Sequence, residues 1–208
     1  MNTPSHFLIG AAVARCSRYP VVTSAFLLGS IAPDIPLYLL SIGGWVYYRH
    51  FQGLTDRAAF QLMFDEHFFR DPVWIALHNI LHSPLVLAIA IAILWSSRRA
   101  IGSLQRWGLH FFLSCSIHTA LDILTHVNDG PLLLFPLNWS LRFESPISYW
   151  DHRYFGREFT VFEIVLDLLL IVLLFILPKL RGWLGTEGGR SAQPATSMLE
   201  SEASPPSD

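Results

Sequence analysis

The stretch from Trp107 to Pro136, WGLHFFLSCSIHTALDILTHVNDGPLLLFP, limits the fold more than any other, because an apolar run carries His118, Asp122 and His126 at four-residue intervals. On an α-helix, four-residue steps stack side chains one turn above the next, so the three groups form one polar stripe on an otherwise apolar rod. Such a stripe has to be met by other polar groups or by a cation. Imidazole nitrogen and carboxylate oxygen are the usual ligands of zinc and related divalent ions, and H-x-x-x-D on one helix face offers two of them. The rest of the chain must therefore bring further ligands to the same level.

The surroundings of that stripe are apolar throughout. Hydrophobic residues make up 52% of the 208-residue chain and charged residues 14%, and several apolar runs approach the roughly 20 residues that cross a bilayer as a helix. The expectation is an all-α integral membrane bundle of about five helices, the first of them short, with a His/Asp metal site at one end. Residues 1–183 form the membrane-embedded domain, and 184–208, small, polar and proline-bearing, form a disordered tail. A net charge of −2 supplies no basic field, so no nucleic-acid partner is expected. The N-terminus lacks a basic stretch before its apolar part, which argues against a cleaved signal peptide. Cys16 and Cys115 form no C-x-x-C and are expected to be buried free thiols within helices.

Thr3-Pro4 suggests a cap and first helical position for a helix running to about Arg18, where Tyr19-Pro20 breaks it. A second apolar helix, 21–42, is interrupted by Pro33-Asp34-Ile35-Pro36. An aspartate at such a break is costly unless it is paired or bound to a cation. His6 and Asp34 lie nearly equal distances from the intervening turn, so an antiparallel hairpin lets them meet. The polar, aromatic-rich segment 43–72 contains an amphipathic helix over 55–69, with His50 and His67 exposed or interfacial. The next helix, 73–97, carries His78 and His82 near its start. Counting back from the arginine-bearing link sets His82 level with Asp122 and His78 level with His126. Residues 127–159 form a long aromatic loop suited to a lid, and a last apolar helix over 160–177 carries Glu163 and Asp167 on one face.

Four pieces of sequence resemble a known family: T-P-x-H-F-x-x-G at the N-terminus, P-D in the second helix, H-S-P at His82, and H-x-x-x-D-x-x-T-H followed by glycine and L-L-x-P. Over residues 3 to 140 they look like the inner-membrane metal-dependent hydrolases, more distantly similar to zinc-dependent phospholipases C. The resemblance implies metal binding by His6, Asp34, His82, His118 and Asp122. There are two departures: Pro36 stands where that family often has a second aspartate, and the segment from His78 to Ser83 is one residue shorter than the family's pattern.

The resulting expectation is a membrane-bound hydrolase using a divalent metal, zinc first, on a phosphoester or on a membrane lipid or lipid-linked small molecule. Zinc with an open position lowers the pKa of water toward neutrality, and His78 and His126 serve as further ligands or proton carriers. Three alternatives stand beside it: a non-catalytic metal-stabilised scaffold, a cation or proton carrier, and a haem held between His82 and His118. For any single histidine the plain reading is an imidazole bonded to a carbonyl one turn back. The arginines at 15, 18, 98, 99, 106 and 181, with Lys179, group at the end opposite the site. This places a multi-pass protein in the inner membrane with the site facing away from the cytoplasm.

Overall fold

The computed structural model describes residues 1–96 and 102–179. The expected tail at 184–208 lies outside the described residues, as do Arg98, Arg99 and Arg181. All named elements are helical, and among the described residues strand-like pairing is limited to one isolated bridge between Leu132 and Arg142.

Helix α1 spans Thr3–Cys16, with Asn2 rather than Thr3 as its cap residue and no side-chain cap. Thr3 lies inside the helix, where its hydroxyl donates to Asp34. Cys16, the last residue of α1, is exposed and only Cys115 is buried, so the expectation of two buried thiols fails at the helix end. The second apolar run divides into α2, Thr23–Gly29, and α3, Ile35–Val46, which continues through a π-helical turn over Tyr47–Phe51. Helix α4 begins at Asp56–Gln61, capped by Thr55, and runs on through Leu62–His67 and Phe68–Arg70, matching the expected amphipathic segment. It buries Ala59, Met63 and Phe68.

The expected helix 73–97 is two helices, α5 at Pro72–Asn79 and α6 at Pro84–Ser96, bent by 46°. Pro84 has no N–H for a continuing ladder, and its ring excludes the carbonyl four residues back, so the chain leaves the helix just before it. The gap is filled from far along the sequence. Asn79 Nδ2 donates to Ile75 O at 2.8 Å and Asn79 Oδ1 accepts from Leu132 N at 2.7 Å, while Ser83 Oγ donates to Phe135 O at 2.9 Å. Leu132, fully buried, and Phe135 pack on Ile75 beneath the bend. Burying one such leucine side chain contributes about 1.5–3 kcal/mol.

Helix α7, Ser103–Thr125, is the central element, packed against α2 and α6. Its approach to α2 depends on Gly29, where a Cβ would collide with the Phe111 carbonyl and lie 2.8 Å from Ser114 Cβ. Helix α8, Gly156–Ile171, continues through Val172–Ile176 to Lys179 and runs parallel to α1. Asn2 and Ser5 pair with Glu163 and Asp167 at one end, and Arg15 donates to Leu174 O at the other. Among the described residues, Gly156–Lys179 is the one helix long and apolar enough to cross a membrane, and α5 with α6 makes a second if the bent pair counts as one span. Prolines and polar breaks divide the apolar runs 21–42 and 73–97 into helices shorter than the sequence suggested, and the all-helical class stands.

Candidate metal centre

Four side chains from three places in the chain converge: Asp34 at the start of α3, His82 in the gap between α5 and α6, and His118 and Asp122 one turn apart on α7. Their ligand atoms lie within 4.8 Å of one another. His82 Nε2 and His118 Nε2 are 3.1 Å apart. Asp34 Oδ1 is 3.5 Å from His82 Nε2 and 3.4 Å from His118 Nε2, and Asp122 Oδ2 is 3.4 and 3.0 Å from the same two atoms. Ligands about 2.0–2.1 Å from a tetrahedral ion stand about 3.3 Å from one another. The observed separations bracket that value.

The far sides of the rings fix which nitrogen faces inward. His82 Nδ1 is 2.8 Å from His78 O, and His118 Nδ1 is 2.8 Å from Ser30 O. A carbonyl only accepts, so each Nδ1 carries a proton, and in the neutral ring each Nε2 is left to direct a lone pair toward the other three ligands. Two imidazole lone pairs and two carboxylates pointed at one buried place repel unless a cation or protons lie between them. The donor set therefore fits a divalent ion of the zinc type. It does not fit a haem, because nitrogens 3.1 Å apart leave no plane for a porphyrin between them.

His6 stands beside this set. Its Nε2 is 2.9 Å from Asp122 Oδ1, the oxygen turned away from the two histidines, and its ring stacks on His118 at 3.7 Å. The Met1 amine also donates to Asp122 Oδ1, at 3.1 Å, and to Thr125 Oγ1, at 2.9 Å. Counting from the turn set His6 opposite Asp34, but Thr3, one turn earlier, makes that contact. His126, just past the end of α7, bonds through Nδ1 to Asp122 O at 2.9 Å, as the plain reading of a lone imidazole expects. His78 is buried with its ring 4.4 Å from that of His82, and its Nδ1 has no hydrogen-bond partner. His50 is exposed, and His67 is tied to the Tyr48 hydroxyl at 2.7 Å.

A cavity of about 540 Å³ reaches the cluster. It is lined by Asp34, Asp122, His78 and His126, and by the aromatic side chains of Tyr38, Tyr149 and Trp150. No Lys or Arg lines it among the described residues. Tyr149 and Trp150 belong to the long loop, which is tied to the end of α7 by Tyr149 N to Thr125 O at 2.9 Å and Ser145 N to His126 O at 3.2 Å. Burial pushes the Tyr149 phenol pKa up, so its hydroxyl keeps its proton across neutral pH. Sequence reading missed Ser30, which holds His118 through a backbone carbonyl, and Asn79 and Ser83, which carry His82 in its gap. Only the break-prone Ser83-Pro84 pair hinted at them.

A helical fold closed around two histidines and two aspartates, with a helix able to cross a bilayer, defines the class: an all-α membrane protein with a buried candidate metal centre. The sequence model of the YdjM inner membrane protein family matches residues 1–184, and the chain belongs to that family. A comparison with curated proteins and another with solved structures each found no match.

Proposed function

We propose that the protein is a membrane-bound metal-dependent hydrolase acting on a phosphoester or acyl ester of a lipid or lipid-linked substrate. The observation that carries this reading is the cavity itself, which reaches the carboxylate side of the cluster and passes two further histidines on the way. A divalent cation held by Asp34, His82, His118 and Asp122 would polarise the scissile group and make water a nucleophile at neutral pH. No Lys or Arg lies along the described cavity wall, and the Met1 amine that lines it is already bonded to Asp122 and Thr125, so a bound cation would be the main partner for charge on a phosphoryl or acyl oxygen. His78 and His126 line the cavity within reach of the cluster, the places for a group that moves a proton to or from the substrate. The aromatic wall suits the apolar part of an amphiphile.

Depth supports a lipid substrate. Asn2 and Ser5 tie the cluster's end of α1 to Glu163 and Asp167, which lie roughly 10–16 Å along the α8 axis from Gly156. A group at that level of a membrane-crossing helix is reached by molecules that partition into the bilayer.

A second reading, a metal-stabilised scaffold, is favoured by the near-tetrahedral separations, since four protein ligands close a zinc ion to water. One experiment separates the two. Detergent-purified wild type, Asp122→Asn and His118→Ala are compared for bound transition metal and for hydrolysis of phospholipid and acyl-ester substrates. The hydrolase reading expects about one or more metal equivalents and turnover in wild type, both lost in the variants while they remain in the membrane fraction. Metal without turnover on any of these substrates supports the scaffold, and turnover unchanged in both variants sinks the hydrolase.

A further inference from the structure

Helix α8 is apolar along its length and mostly exposed, yet it buries Glu163, which is 3% accessible, and carries Asp167 one turn further on. Carboxylates in such a helix are costly unless they are bonded, and bonded ones mark function. Both turn to the first turn of α1. Asn2 N donates to Glu163 Oε1 at 2.7 Å, Asn2 Nδ2 donates to Oε2 at 2.6 Å, and Ser5 Oγ donates to Asp167 Oδ2 at 2.9 Å. Helix α1 has no side-chain cap and no acidic residue in its first turn, so the partial positive charge of its N-terminus is answered from α8.

The residue after Ser5 is His6, which contacts the cluster through Asp122 and His118. One turn of helix is thus gripped by two carboxylates on one side and delivers an imidazole to the candidate ligands on the other. We propose that Glu163 and Asp167 are positioning residues of the metal centre, holding the first turn of α1 through Asn2 and Ser5 so that His6 keeps Asp122 oriented. The metal part of this proposal rests on the function proposed above; the mechanical link from Glu163 to His6 does not.

The test is a double-mutant cycle on thermal unfolding of the detergent-purified full chain, combining Glu163→Leu with His6→Ala. Residues without a shared partner add, whereas a linked pair does not. The double variant is expected to melt no lower than the more damaged single variant. If Glu163→Leu does not fold, Asn2→Ala replaces it, since that change removes the Nδ2 bond and leaves α8 intact. Additive shifts overturn the proposal.

Zinc affinity by chelator competition is the second readout. It should fall in Glu163→Leu, or in Asn2→Ala where that replaces it, by no more than the loss of about 10–100-fold that follows removal of an outer partner of a metal ligand, because the effect is passed on through His6. Glu163→Gln, which keeps an acceptor for Asn2 N and, once the Asn2 amide turns over, can donate to Asn2 Oδ1, should stay close to wild type. Unchanged zinc affinity in the variant used also overturns the proposal. A wild type that binds no zinc sinks the function proposed above, and the unfolding cycle then decides the link alone.

Discussion

At His82 and His118 the direction of each ring is decided behind it, by the carbonyls of His78 and Ser30, rather than by the groups in front. With the proton fixed on Nδ1, a neutral ring keeps its lone pair on Nε2, and this would make two neighbouring imidazoles a chelating pair. His6 differs in kind: it contacts the outward oxygen of Asp122, and its Nδ1 is buried without a hydrogen-bond partner. Its expected role is to orient a ligand. His6→Ala should weaken zinc binding by about 10–100-fold, as loss of an outer partner does. His118→Ala should abolish it, and competition with a chromogenic chelator measures both. Equal loss in the two variants would instead make His6 a ligand.

At the scale of elements, what the sequence revealed and what it hid divide by range. Four-residue spacing on a continuous helix fixes His118 above Asp122, and counting back from the arginine-bearing link brings His82 to their level; the structure has both features. Counting fixes height but not rotation about the helix axis, which is why Thr3 stands where His6 was expected beside Asp34. The gap between α5 and α6 was not legible because it is completed by Leu132 and Phe135, about fifty residues away, through side chains with no periodic signature. Asn79 is the joint of that gap. Replacing it with alanine leaves Leu132 N without its partner, and an unsatisfied buried donor costs about 1–3 kcal/mol. Asn79→Ala should therefore lower the melting temperature and also weaken metal binding, because His82 is carried by the same gap; calorimetry of the metal-loaded protein shows the first. A variant that melts like wild type would mean that the loop does not support the break.

For the whole molecule, the parallel run of α1 beside α8 brings Arg15 to the Leu174 end, away from the cluster, so these two helices gather positive charge at the end opposite the site. If that end is cytoplasmic, as the basic residues suggest, exposed Cys16 reports it. A membrane-impermeant maleimide should label Cys16 in inside-out vesicles and not in right-side-out ones, with buried Cys115 unreactive in both. The reverse pattern would turn the site toward the cytoplasm. The clasp between Asn2 and Glu163 joins residues 161 positions apart. At ribosomal speeds of about 5–20 residues per second, the first helix waits roughly 8–30 s for the last one. During that interval the first turn of α1 exists without its clasp, and a chaperone that shelters half-made polar surfaces would find its client there.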